Sequence, residues 1–252
     1  MEQYTSVAGV YDALNSHFDY NSYADYITEQ IKKAERVPTS LVLDLACGTG
    51  KMTFLLRGKG YDMTGVDLSE DMLSVARDAC YDKGIEDILW LCQPMQGFEL
   101  YGTVDACVCC LDSLNYLTKP SELLECFKLV HNYLIPDGVF IFDINTPYRF
   151  EKVYADNDYI LESEGALVAW QNSYNKKSRL CKFYLSVFEE QDDGSYQRSD
   201  EVQTERCYTK EQIVKALESA GLELISIHGD INGKKAEDVD EKWYFTARNI
   251  KK

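Results

Sequence analysis

The stretch Val42-Leu43-Asp44-Leu45-Ala46-Cys47-Gly48-Thr49-Gly50 decides how the rest of the chain is read. It opens as a short apolar run and closes on glycines, the pattern of a buried strand ending in a tight turn. Met52 to Lys59 continues as a helix, with Gly60 as its C-cap. A glycine lets backbone approach a ligand where a Cβ would collide, and a strand-to-helix turn offers free N–H groups and a positive helix end. Tight turns also use glycine for structural reasons alone, so the pair Gly48 and Gly50 gains its weight from context. Met63-Thr64-Gly65-Val66-Asp67 supplies that context: a second short strand ends, roughly 20 residues on, in an acid suited to ribose hydroxyls. Together the segments predict a nucleoside cofactor.

Working outward, Tyr23, Tyr26, Ile27 and Ile31 have helical spacing, so an amphipathic helix over 23–34 precedes the first strand, broken by Pro38-Thr39-Ser40. Ser69 caps a helix from Glu70 to Lys83, and Gly84 stops it. Strands are expected at Ile88 to Cys92 and Val104 to Leu111. Ser121 is read as the cap of a helix running to about Leu134, Pro136-Asp137-Gly138 as a turn, and Val139 to Ile144 as a fifth strand. This rhythm means a parallel sheet covered by helices on both faces, which binds ligands outside the carboxyl ends of its strands.

After Asn145 the rhythm changes. Ala166 to Trp170, Leu180 to Glu189 and Val202 to Cys207 alternate like antiparallel strands, with a hairpin signal at Asp192-Asp193-Gly194-Ser195. Thr209 then caps a helix from Lys210 to Ala220, closed by Gly221, and strands Leu222 to His228 and Lys242 to Ala247 finish the chain. The expected fold is α/β: a doubly wound, Rossmann-like, mostly parallel seven-stranded sheet with an antiparallel β insertion after the fifth strand. A single domain over 1–252 is expected, with a helical cap at 1–40 and a cofactor-binding core at 41–145. An insertion or substrate lid follows at 146–207, and 208–252 completes the sheet.

The formal net charge is -16 and the pI about 4.6. Binding to DNA, RNA or an anionic membrane needs Lys and Arg in excess, so those partners are not expected. The 9 cysteines are scattered and odd in number, unlike a disulfide framework, and read as reduced, buried thiols. Cys107, Cys109 and Cys110 cluster within an apolar run and are read as core rather than a zinc site, so no metal is expected. No basic amino-terminal region and no apolar stretch of ~20 residues is present, which predicts a cytoplasmic protein.

Which cofactor follows from two positions. A dinucleotide site uses a third glycine beside the pyrophosphate, and position 53 is Thr. Asp44 places an anion where a pyrophosphate would lie, and it suits a cofactor carrying an ammonium and a sulfonium instead. A purely structural Asp44 that hydrogen-bonds the glycine turn remains open and chooses no cofactor.

Asp44 to Gly50 resembles the first motif of class I S-adenosylmethionine-dependent methyltransferases, and Gly65-Val66-Asp67-Leu68-Ser69 resembles their second-strand acidic motif. Asp71-Met72-Leu73 and Leu111-Asp112-Ser113-Leu114-Asn115-Tyr116 are similar to the small-molecule branch. The resemblance implies S-adenosyl-L-methionine as cofactor, with its ribose on Asp67 and its adenine near Leu68 and Met72. The methionine part would run along Ala46, Cys47, Gly48 and Gly50, with Leu111 and Asp112 beside it. Similar enzymes carry an acid after the third strand for the adenine amino group. Here Cys92-Gln93-Pro94-Met95-Gln96 has none, leaving Gln93 or Gln96 and the Met95 backbone for that role.

Tyr11-Asp12 resembles a segment that covers the cofactor, and Tyr11 and Tyr20 are read as lining the site, whereas Tyr23 and Tyr26 are read as core. Methyl transfer from a sulfonium needs in-line positioning above all, and a base only where the nucleophile arrives protonated. Asp112, Tyr11, Tyr20 and His17 are candidates by location; His131 and His228 are read as structural. The acceptor, an unidentified small molecule, is expected against the insertion, rich in Tyr159, Trp170, Tyr174, Phe183 and Tyr184. Asn145-Thr146-Pro147-Tyr148 is read as the exit turn into that insertion. A non-catalytic adenosylmethionine-binding protein and an NAD-dependent oxidoreductase stand as alternatives.

Overall fold

The computed structural model describes residues 18–163 and 165–251. Helix α1 (Tyr20–Ala34) starts three residues before the apolar spacing suggests, because Asp19 caps it by accepting the Ser22 N–H at 3.0 Å. Strand β1 (Leu41–Leu45), helix α2 (Lys51–Gly58), β2 (Asp62–Asp67), α3 (Glu70–Lys83), β3 (Leu89–Cys92) and β4 (Val104–Cys109) follow in the expected rhythm. Ser69 caps α3 as expected, accepting from the Met72 N–H.

Helix α4 (Pro120–Tyr133) corrects the cap at Ser121: Lys119 takes that position and Pro120 opens the helix, where its missing N–H costs nothing. The turn at 136–138 is also corrected. Strand β5 (Leu134–Asn145) runs through it, with a register shift against β4 between Val104 and Ala106. Asp137 is left-handed there, and a Cβ on Gly138 would lie 2.9 Å from the Asp105 and Ile135 carbonyl oxygens, so close strand approach explains that glycine.

The insertion is larger than its alternating segments suggest. Strands β6 (Asp158–Ser163), β7 (Ala166–Asn175), β8 (Leu180–Glu190) and β9 (Tyr196–Arg206) form their own antiparallel sheet in sequence order. Its hairpin at 191–195 closes through Gly194, whose N–H donates to the Gln191 carbonyl at 2.8 Å. Helix α5 (Lys210–Ala220), capped by Thr209, and strands β10 (Leu222–His228) and β11 (Lys242–Asn249) return to the first sheet.

That sheet has seven strands in the order β10-β11-β5-β4-β1-β2-β3. The pairs from β5 to β3 are parallel, and β11 joins antiparallel to both β5 and β10. Both faces are buried, as a parallel sheet demands. Val42, Ala106, Val108 and Ile141 pack under α1 and α2, while Leu43, Cys107, Cys109, Phe140 and Phe142 face α4 and α5. The switch in strand order falls between β1 and β4, so a crevice opens at their carboxyl ends. Of the nine free cysteines only Cys92 is exposed, which corrects the uniformly buried reading for that residue. No metal-holding group of His, Cys, Asp or Glu occurs among the described residues, and no helix among them is long and apolar enough to cross a membrane.

Candidate active site at the carboxyl ends of the sheet

The turn after β1 is left-handed at Ala46, Gly48 and Gly50. Gly48 faces open space, since a Cβ there would meet nothing within 4 Å. Gly50 is held for another reason: a Cβ would lie 2.5 Å from the Trp90 ring. A narrow cleft over this turn is lined by Tyr20, Asp44, Ala46, Cys47, Gly48 and Lys51 among others, with Leu111 at its far edge.

Asp67, at the end of β2, accepts the Gly48 N–H and the Ser69 N–H, each at 2.8 Å and each on a different carboxylate oxygen. A carboxylate has about four lone-pair sites, so each oxygen keeps capacity for a ligand hydroxyl. Asp44 is buried beneath the turn and accepts the Thr53 hydroxyl at 2.5 Å. Burial pushes its carboxyl up to about 7, against the Thr53 hydrogen bond that lowers it and with the nearby Asp67 charge that adds to the rise. The side chain that replaces a third glycine is therefore the partner of the buried acid.

Leu68 stands exposed at 59% beside Asp67, whereas Met72 is buried in the packing of α3. Met95 packs half-buried, its sulfur 4.0 Å from the Cys109 sulfur, and Gln96 is exposed. The Gln93 side-chain carbonyl accepts the Glu99 N–H at 2.6 Å and is thereby engaged within its own loop. Tyr20 lines the cleft, and the Lys51 ammonium lies 4.4 Å from its ring centroid. Tyr23 and Tyr26 are buried, as read. His228 takes the Tyr26 hydroxyl at 2.9 Å within that packing. Tyr11 and His17 lie outside the described residues.

Four residues that local motifs do not mark complete the arrangement: Asp143, Arg149, Glu205 and Lys242. Leu111 and Asp112 are successive left-handed residues, with φ of 56 and 57. Fully buried Asp143 holds them, accepting the Leu111 N–H at 2.7 Å and the Asp112 N–H at 2.9 Å. It also accepts the Tyr23 hydroxyl at 2.5 Å and the Lys242 ammonium at 2.7 Å. Lys242 bridges from there to the Asp112 carboxylate. Burial disfavours the lysine charge, but Asp112 and Asp143 more than offset it and hold the ammonium well above the usual range.

Above this turn a cavity of about 580 Å³ opens between the seven-stranded sheet and the inner face of the insertion. Leu111 lines both the cavity and the cleft. The expected aromatics divide here. Trp170 and Phe183 line it in an edge-to-face pair 5.5 Å apart, with Tyr154 5.1 Å from Phe183. Tyr184 is exposed on the opposite face of the sheet, and Tyr159 and Tyr174 pack beside the cavity's aromatic wall. Arg149, on the short helical turn Arg149–Tyr154, lies over the Tyr154 ring.

Strand β9 is inverted relative to an ordinary amphipathic strand. Glu201, Gln203 and Glu205 point inward and are buried, while Val202 between them is 38% exposed. Tyr116 donates to Gln203 at 2.8 Å, and Asn145 donates to one Glu205 oxygen at 3.1 Å. Asn145 thus ends β5 as a partner of the cavity as well as leading into the insertion.

A fold of this topology with an acid at the end of β2 and a glycine turn after β1 defines a nucleoside-cofactor enzyme, and comparison with known proteins names the class. A methyltransferase domain family matches residues 42–138. The chain is 32% identical over 251 residues, 98% of both chains, to YqeM of Bacillus subtilis (strain 168), a protein named as a methyltransferase. An S-adenosylmethionine-dependent methyltransferase structure from Clostridium acetobutylicum ATCC 824 superimposes with a TM-score of 0.88 at 32% identity, covering 98% of each chain. The dTDP-3-amino-3,6-dideoxy-alpha-D-glucopyranose N,N-dimethyltransferase of Streptomyces fradiae is 24% identical over 238 residues, 90% of this chain and 88% of that protein. The chain belongs to the S-adenosylmethionine-dependent methyltransferases. It is an enzyme of the class I fold that uses S-adenosylmethionine, and the oxidoreductase and non-catalytic readings are set aside.

Proposed function

We propose that this enzyme methylates a small molecule held in the cavity over Leu111, with its methyl donor seated on the turn from Asp44 to Gly50. The observation that carries the reading is that cleft and cavity share Leu111, with Asp112 lining the cavity and Ser113 the cleft. The residues present fit the cofactor. Asp67 keeps lone pairs for ribose hydroxyls, Gly48 leaves room for a close approach, and Leu68 offers an exposed apolar side chain for adenine. Bound there, S-adenosylmethionine supplies a methyl already activated on a sulfonium.

The protein's part is binding, orientation and charge. Asp44 offers a carboxylate that ionises when a cation of the methionine part approaches, and the Lys51 ammonium suits its carboxylate. Asp143 fixes the backbone of Leu111 and Asp112, the edge across which donor and acceptor meet. Such fixed geometry is the main source of rate in a transfer whose leaving group is already good. The net charge of -16 works against nucleic acid or an anionic membrane as acceptor, and free cysteines suit a reducing cytoplasm.

Calorimetry with adenosylmethionine, adenosylhomocysteine and NADH tests the seat. Adenosylmethionine and adenosylhomocysteine should bind, and Asp67→Ala should weaken both by about 10-fold or more, the equivalent of ~1.4 kcal/mol. Tight NADH binding with no response to the other two would overturn the reading.

A further inference from the structure

Resting on the reading that the cavity holds the acceptor, we infer that the acceptor is a protonated amine and that Glu205 receives its ammonium. The first support is the inverted strand. A strand buried on one face ordinarily turns its apolar residues inward, yet β9 exposes Val202 and buries Glu205 at the cavity wall. Burying a carboxyl costs free energy unless a partner compensates it. Among the described residues Glu205 has a single hydrogen-bond donor, Asn145, on one oxygen. Its other oxygen is left for a ligand.

The second support is the charge around it. Glu205 is packed among Asp112 from the turn after β4, Lys242 from β11, Arg149 and Tyr154 from the turn after β5, and Cys181 from β8. Lys242 is committed to Asp112 and Asp143, and Arg149 lies toward Glu241 at 3.5 Å. Both cations thus face other acids before Glu205 is counted: Asp112, Glu205, Asp230 and Glu241 line the cavity against Arg149 and Lys242, so its acids exceed its cations by two. An anionic acceptor would add to that excess; an ammonium reduces it. The faces of Trp170, Tyr154 and Phe183 supply the apolar and π-rich wall that an organic cation favours.

The protons then balance. Burial, and after it the Asp112 charge, holds the Glu205 carboxyl well above the usual carboxylate range and so favours its protonated form in the empty cavity. Arrival of R–NH3+ ionises it and sends one proton to solvent. Within the cavity the ammonium passes a proton to the Glu205 carboxylate, which frees the nitrogen lone pair. The nitrogen forms its bond to the methyl carbon as the carbon–sulfur bond breaks and its electron pair returns to sulfur. The product leaves as the N-methylammonium, and Glu205 is left protonated as it began.

Three probes that share one body but differ in charge test this: phenethylammonium, 2-phenylethanol and phenylacetate, titrated at pH 7 into enzyme saturated with adenosylhomocysteine. Each titration is run in phosphate and in Tris, whose different ionisation heats count protons. The cation should bind about 10-fold or more tightly than the alcohol, with phenylacetate weakest and close to one proton released on binding the cation. Glu205→Gln should erase both the preference and the proton release while adenosylhomocysteine binds as before. Equal or absent binding of the cation, binding without proton release in the wild-type enzyme, or an unchanged Glu205→Gln protein would each overturn the inference. The wild-type proton count needs no variant, so a folding defect cannot mask the result. If adenosylhomocysteine itself does not bind, the cofactor seat is wrong, and this inference falls with it.

Discussion

Asp143 and Asp44 are both buried carboxyls within the same crevice, and they are stabilised in opposite ways. Asp143 receives two backbone N–H groups, a tyrosine hydroxyl and a lysine ammonium, and it serves as a structural acceptor. Replacing it by Asn removes acceptors from the Asp112 N–H and Lys242 and leaves a buried cation short of a partner. A loss of about 3–5 kcal/mol is expected, read as a lowered midpoint in urea unfolding. Asp44 has Thr53, through its hydroxyl and its backbone N–H, and burial still pushes its carboxyl up to about 7. A cationic ligand selects its ionised form, so adenosylmethionine affinity should rise with pH through about 7 and then level off. Asp44→Asn should flatten that rise, and adenosylmethionine titrations from pH 5.5 to 8.5 measure it. Folding responds in the other sense. The folded carboxyl binds its proton more tightly than the unfolded one, so Asp44 lowers stability as pH climbs from about 4 to 7. Asp44 was legible because its meaning is local to a strand and a turn. Asp143 was not, because its partners come from Tyr23, Leu111, Asp112 and Lys242, which no window of sequence brings together.

At the scale of elements, α1 to β5 could be read closely because apolar period, caps and glycines agree along that stretch. The differences fall where a local cue had a competitor. Pro120 opens α4 one residue before Ser121, the cap read from sequence, and Asp137-Gly138 bends β5 without ending it. Trp90 shows a dependence between elements that spacing does not reveal. Its ring fills the space before both Gly50 and Gly65, where a Cβ would approach within 2.5 Å. Gly65→Ala should therefore cost about 1–3 kcal/mol by overpacking, and Trp90→Leu in the same chain should recover part of it. Thermal unfolding of the single and double variants checks the pairing: strictly additive losses would show that the ring is not the obstacle. Strand β9 was legible as a strand and misleading in its orientation, because Glu201, Gln203 and Glu205 look like a solvent face until β7 and β8 lie beside them.

For the whole molecule, the question is how a separate antiparallel sheet is held at a fixed place over the parallel one. Asn115 is central: it accepts the Asn145 N–H at 3.0 Å and donates to the Arg206 carbonyl at 2.9 Å while itself fully buried. The Tyr208 hydroxyl reaches the Leu117 carbonyl, and Arg206 reaches the Thr118 carbonyl at 3.1 Å. Asn115→Ala leaves a buried N–H and a carbonyl unpaired, and a loss of about 1–3 kcal/mol is expected. Its kinetic mark should be a raised KM for the acceptor with little change in adenosylmethionine affinity, because the cofactor turn lies on the other side of Leu111. A matching fall in cofactor affinity would show instead that the two sheets behave as one unit. The proposed cofactor side is contiguous in sequence, from Asp44 to Ser69, so its residues could be named from local motifs. The proposed acceptor side draws on residues 112, 149, 205 and 242, which only folding gathers around one cavity.

The inverted face of β9 has a consequence for how such an enzyme can change its task. Gln203 and Glu205 line the cavity proposed for the guest molecule, and neither lines the cleft proposed for the methyl source. An exchange at one of these two positions alters what is welcomed and leaves the donor's seat as it was. Selectivity for the guest is therefore heritable separately from the grip on the donor, written on alternate letters of a single strand.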